Sequence, residues 1–152
     1  MAKTSLPDVP SADTDEWVAA EGAMGDRLSL LRFRPGLKRF LGDPRFSRRL
    51  QVTWSFDDDG GSGMPSEEDS DAMRPLEDRL VGALEVDGAG VLAFVFTHAG
   101  RREWHFYVSA SADLGAIVNE ALEDMPGLPI EIALEDDPDW GELGAVLDSV
   151  GE

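Results

Sequence analysis

The sequence predicts an α+β fold: a ferredoxin-like split βαβ antiparallel sheet with extra N-terminal strands and a C-terminal helix. Three observations lead there. From Val91 to Ser109 the chain reads VLAFVFTHAGRREWHFYVS, rich in aromatic and β-branched residues. Ala99-Gly100 near its middle supplies a tight connection, because glycine tolerates positive φ. This is a β-hairpin. On either side of it stands a stretch with apolar residues at helical spacing, Met73, Leu76, Leu80 and Leu84 before it and Leu114, Ile117, Val118, Ala121 and Leu122 after it. Outside these lie two alternating stretches, Leu50 to Phe56 and Ile130 to Leu134. The order from Leu50 is therefore strand, helix, strand, strand, helix, strand.

Taken in order, Met1 to about Asp15 is rich in Pro, Ser and Asp without periodicity and predicts a mobile arm, leaving 16–150 as a single domain. Glu16 to Ala20 is a short strand candidate, the small residues from Glu21 to Asp26 suggest a turn, and Arg27 to Arg34 suggests a second strand. Leu37 to Phe46 is expected to be an irregular or one-turn helical connection. In the strand from Leu50, Val52, Trp54 and Phe56 share one side and Gln51, Thr53 and Ser55 the other. Asp57 to Gly63 has the composition of an exposed loop. Ser66 followed by Glu67, Glu68 and Asp69 is a helix start, with a hydroxyl to cap free amides and acids at the positive helix end. Pro75 is expected to kink or divide that helix. Pro126-Gly127 closes the second helix. After the strand at Ile130, Asp137-Pro138 reads as a cap with proline at the first helical position, and Trp140, Leu143, Leu147 and Val150 form the stripe of a terminal helix.

A simple turn sets the hairpin register: Phe96 opposes Glu103, Val95 opposes Trp104, Phe94 opposes His105 and Ala93 opposes Phe106. Val91, Ala93, Val95, Trp104, Phe106 and Val108 then share an apolar face for the helices. The opposite face mixes Leu92, Phe94 and Phe96 with Glu103, His105 and Tyr107 and calls for partial cover, which the terminal helix can supply. A one-residue bulge at the turn would move every residue of one strand to the other face.

Charge narrows the function classes. Among 152 residues, 13 Lys and Arg stand against 31 Asp and Glu, for a net −18. Such a surface repels nucleic acid and anionic membrane. There is no cysteine, so disulfides and Cys-ligated metals are excluded. No apolar run approaches the roughly 18 residues of a membrane span, and no signal-peptide pattern opens the chain, so a cytoplasmic location is expected.

No metal or cofactor constellation is legible. Asp57-Asp58-Asp59 with Glu68 fails the calcium-loop pattern, since Gly61 and Ser62 occupy its fifth and sixth positions. The glycines between Gly60 and Gly63 lack the Lys-Ser/Thr ending of a phosphate loop. His98, Glu103, His105 and Tyr107 share the mixed hairpin face, as a ligand or interaction face able to do acid-base work under a pocket, or as half-exposed strand residues. Seven bases, Arg32, Arg34, Lys38, Arg39, Arg45, Arg48 and Arg49, make the segment from Arg32 to Arg49 +6 and leave −24 for the rest. They either pair internally with acids at Asp57 to Asp71 or Glu131 to Glu142, or form a docking patch. Asp136, Asp137 and Asp139 form a candidate acidic docking site for a basic protein.

Trp54 at a strand end, Gly63-Met64-Pro65 with acids after it, Gly100-Arg101-Arg102-Glu103-Trp104 leading to Phe106-Tyr107, and the closing Asp136-Asp137-Pro138-Asp139-Trp140 together resemble the bacterial domain-of-unknown-function family 695, from roughly Glu16 to Val150. Members of that family are sometimes joined to domains that look like acidic regulators of ribonuclease activity, so the resemblance implies a regulatory or interaction role. Two classes stay open: a non-enzymatic acidic module that binds a protein partner, and a small enzyme or ligand-binding protein that uses the hairpin face.

Overall fold

The elements in chain order are strands β1 (Val18–Met24), β2 (Arg27–Phe33) and β3 (Arg48–Ser55), helix α1 (Glu67–Glu85), strands β4 (Gly90–His98) and β5 (Arg101–Val108), helix α2 (Leu114–Ala121), strand β6 (Ile130–Asp136) and helix α3 (Gly141–Ser149). This computed structural model describes residues 18–24, 27–34, 37, 41–56, 65–85, 89–98, 100–109, 113–123, 125 and 130–149. The expected arm at 1–15, Lys38, Arg39, the loop from Asp57 to Gly63, Pro126-Gly127 and Val150 lie outside the described residues.

All strand pairings are antiparallel, and the sheet order is β1-β2-β4-β5-β3-β6. The fold is α+β. The first two strands extend the β4 edge, and β1 runs further than the sequence suggests, because pairing with β2 from Val18 to Met24 overrides the weak strand preference of Glu21, Gly22 and Ala23.

At the central hairpin, Phe96 opposes Glu103, Val95 opposes Trp104 and Phe94 opposes His105, with Gly100 at a φ of 80° in the connection. Upstream the expected register fails. A bulge between Leu92 and Phe94 brings Leu92, not Ala93, opposite Phe106. One extra residue reverses the alternation, so Leu92 joins the face under α1 and α2 while Val91 and Ala93 move to the other face. At the start of β4, Gly90 lies so close to β5 that an added Cβ would sit 2.7 Å from a Val108 methyl.

The sheet separates two cores. On one face Leu50, Val52, Trp54, Leu92, Val95, Trp104 and Phe106 pack against Met73, Leu76, Leu80 and Leu84 of α1 and Leu114 and Val118 of α2. On the other, Phe33, Phe94 and Tyr107 pack under Trp140, Leu143 and Leu147, together with Leu37 and Phe46 from the connection after β2. Ser66 Oγ accepts from the Asp69 amide at 3.0 Å and opens α1 as its sequence suggests. Pro75 does not divide the helix, which runs unbroken through it. Interior proline costs about 3 kcal/mol, whereas each fully buried leucine contributes roughly 1.5–3 kcal/mol, so the buried stripe of α1 outweighs it.

The start of α3 also differs from expectation. Pro138 and Asp139 form a turn, Trp140 takes a φ of 58°, and the helix begins only at Gly141. That backbone costs about 1–3 kcal/mol. In return the Trp140 indole is fully buried, stacks on Tyr107 with ring centroids 4.2 Å apart, and donates to the Phe46 carbonyl at 2.8 Å. Asp137 still caps the helix from further back, accepting from the amides of Gly141 at 2.8 Å and Glu142 at 3.3 Å.

Candidate functional site

Strand alternation on β5 sends Glu103, His105 and Tyr107 to the face opposite α1 and α2, where Phe94, Phe96 and His98 of β4 meet them. The Glu103 carboxylate bridges two imidazoles, with His105 Nε2 at 2.9 Å and His98 Nε2 at 3.3 Å. Behind His105, an Arg49 guanidinium nitrogen lies 3.0 Å from Nδ1. Arginine only donates, so this contact assigns Nδ1 as acceptor and places the ring proton on Nε2, from which it is donated to Glu103. His105 stacks on Phe94 and His98 on Phe96, with centroids 4.2 and 4.3 Å apart. Burial alone would raise the Glu103 pKa, but the hydrogen bonds it accepts from His105, then His98, lead the effects that outweigh it and hold the carboxyl below its usual range.

Arg49 ties the cluster to β6 and α3. It donates to Glu135 at 2.7 Å and to Gln51 at 3.0 Å, and its Nε is 3.5 Å from Asp137. Tyr107 stands apart from the histidines: its hydroxyl donates to Asp137 at 2.7 Å and accepts from the Leu143 amide at 3.2 Å. Burial first, and the Asp137 carboxylate second, push its phenol far above the ordinary value of 10.0. Tyr107 therefore stays a hydrogen-bond donor that fastens α3.

Between α3 and the sheet lies a half-open cleft of about 330 Å³, walled by Leu31, Phe94, Phe96, Ala145 and Val146, with Glu103, His105 and Glu142 as its polar groups. Of the four hairpin residues singled out in the sequence, Glu103 and His105 line it, His98 adjoins through Glu103, and Tyr107 lies outside it. Among the described residues, no group of three or more His, Asp or Glu side chains is arranged to hold a metal ion.

Among the described residues, the bases of the segment from Arg32 to Arg49 pair with carboxylates of the chain itself. Arg34 is buried, 3.0 Å from Glu85, and donates to the Leu92 carbonyl; Arg45 pairs with Asp43 at 2.7 Å; Arg48 meets Asp136 at 3.3 Å; and Arg49 is buried as above. Of the acidic trio, Asp136 and Asp139 are exposed while Asp137 caps α3 and receives Tyr107. Strand β6 is the more open acidic feature. It pairs with β3 on one side, stands at the sheet edge on the other, and is exposed from Glu131 to Asp136. Its helix-side residues Ile132 and Leu134 are 49% and 41% exposed.

Arg49, which backs His105, and Glu142, which lines the cleft, are the polar groups that sequence reasoning did not place beside the histidine cluster. The polar alternation of Gln51 and Thr53, carried one step back along β3, points to Arg49. Glu142 has no such signal, because it reaches the cleft only through the packing of α3.

Together these features define a protein built as an antiparallel sheet between two helical layers, with an internal His-Glu-His cluster beside a cleft. Among the described residues, no helix is long and apolar enough to cross a membrane. Residues 15–142 match a family model described as a family of unknown function, DUF695. The chain belongs to that family. A search of the curated proteins finds no match.

Proposed function

We propose that this chain is a non-catalytic interaction domain that binds a basic, extended segment of a partner protein along the outer edge of β6. The observation that carries the reading is the edge itself: seven residues with one side unpaired by any strand among the described residues. Such an edge accepts an added strand through main-chain hydrogen bonds, with alternate side chains giving specificity. Here Glu131 and Glu135 point to one face and Ile132 and Leu134 to the other, so the matching segment alternates Lys or Arg with apolar residues. A concavity of about 470 Å³ along Gln51, Thr53, Glu131 and Ala133 gives the basic side chains room. Self-pairing is disfavoured, because an antiparallel copy centred on Ala133 would set Glu131 against Glu135. The polar atoms of the histidine cluster also support a binding role, since Glu103 and both His105 nitrogens are engaged internally.

Titration with an alternating Lys/Val peptide tests this, read by amide shifts and hydrogen exchange. Saturable shifts at 130–136, slowed exchange there, loss with rising salt and several-fold weaker binding by Glu131→Lys are expected. Shifts elsewhere, or equal shifts with a Glu/Val peptide, overturn it.

One observation favours a second reading, a small-molecule site. The cleft beneath α3 falls within the roughly 300–1,000 Å³ of small-ligand pockets. Its apolar walls and two carboxylates suit an apolar amine. Val146→Trp would fill it, and unchanged amine binding by that variant would rule the cleft out.

A further inference from the structure

On the opposite sheet face, away from the cleft, a recess of about 210 Å³ opens between the sheet and the N-terminal half of α1. Three guanidinium groups border it: Arg32 from β2, Arg102 from β5 and Arg74 from α1. One carboxylate, Glu77, accompanies them and is already engaged, accepting from Arg32 at 2.6 Å and from the Trp104 indole at 2.9 Å. These four groups sum to +2 within a chain of net charge −18. Arg102 donates through Nε to Thr97 at 2.9 Å, while its two terminal nitrogens have no hydrogen-bond or ion-pair partner among the described residues. Among the described residues Arg74 has only a distant partner, Asp71 at 3.6 Å, and both side chains are largely in solvent.

The geometry points to an anion-binding site here, taking a small oxyanion with two negative charges, either a phosphate group or a pair of carboxylates, between the ends of Arg102, Arg74 and Arg32. Guanidinium forks match such oxyanions with paired hydrogen bonds. Size limits the ligand: the recess is smaller than the roughly 300 Å³ at which drug-sized pockets begin, so a nucleotide does not fit and a phosphate-sized group does. Electrostatics agrees. Burial first and the like charge of Arg32 second lower the Arg102 pKa, Glu77 offsetting only part, although arginine remains charged at neutral pH. A dianion would relieve that repulsion. Ser70, at the rim, adds a hydroxyl donor.

Inorganic phosphate and malonate, each titrated at constant ionic strength against chloride, test the site. The readouts are the Trp104 indole N–H, which reports through Glu77, and the Arg102 Nε–H. A saturable shift with either anion is expected and names the source, phosphate or carboxylate. Arg102→Gln should weaken binding at least ten-fold, and the exposed Arg74→Gln several-fold without touching the fold. No saturable shift into the tens of millimolar, or shifts matched by chloride, overturns the proposal. So does undiminished affinity in Arg74→Gln together with a folded Arg102→Gln.

Discussion

Tyr107→Phe removes one oxygen and leaves the ring stacked on Trp140, which makes it a clean test of how α3 is held. That oxygen serves two groups at once, donating to Asp137 at 2.7 Å and accepting from the Leu143 amide at 3.2 Å. A hydrogen bond to a charged acceptor contributes about 1.5–3 kcal/mol, and a buried amide left without a partner costs about 1–3 kcal/mol. The two losses share one atom and are coupled, so a total of roughly 3–5 kcal/mol is expected rather than a plain sum. At about 2–4 °C per kcal/mol for a chain of this size, melting should drop on the order of 10 °C. Urea unfolding followed by circular dichroism gives the stability change, and a thermal scan gives the shift. Because the phenol titrates far above its ordinary 10.0, the difference should hold through neutral and mildly alkaline pH. A variant within about 0.5 kcal/mol of the parent, the range of an inert surface change, would refute the reasoning.

Trp104→Ala, at a fully buried position, should cost roughly 3–5 kcal/mol with an unchanged denaturant slope; an unchanged urea midpoint would mean the indole is not core. A pH effect is expected at Glu103. Its folded-state pKa lies below the ordinary 4.5, so its stabilisation is complete above that value and is lost as pH falls through the lower, folded-state value. Glu103→Gln should therefore be less stable than the parent at neutral pH and converge with it in acid, and a stability gap that stays constant from pH 7 to pH 3 would contradict this.

Much of the fold was legible because its signals are local. Helical spacing located α1 and α2, and strict alternation located β3. The hairpin register held from its turn back to Phe94 because Gly100 fixes the pairing. It failed at Leu92 because VLAFVF is apolar at every position: with both faces buried, alternation carries no register, and one extra residue leaves no mark in the composition. The cluster on β5 was legible since Glu103, His105 and Tyr107 alternate along one strand. What joins it to the rest was not. Arg49 reaches His105 across a pairing of distant segments, so in sequence it reads as one more base in a surface run. Arg32, Arg74 and Arg102 belong to three elements and meet only once the sheet and α1 are assembled.

The partition of the two cores by the sheet gives the protein its own optical probes. Trp54 and Trp104 lie in the layer with α1 and α2, while Trp140 lies in the layer under α3, ring to ring with Tyr107. With Trp17 replaced by Phe, a protein retaining only Trp140 emits from one side of the sheet, and one lacking only Trp140 emits from the other. Matching emission transitions would mean that the sheet and both layers unfold as one unit. An earlier Trp140 transition would mean that α3 lifts by itself, at a free energy below that of global unfolding, and opens the cleft at Glu103 and His105 while the rest of the chain stays folded.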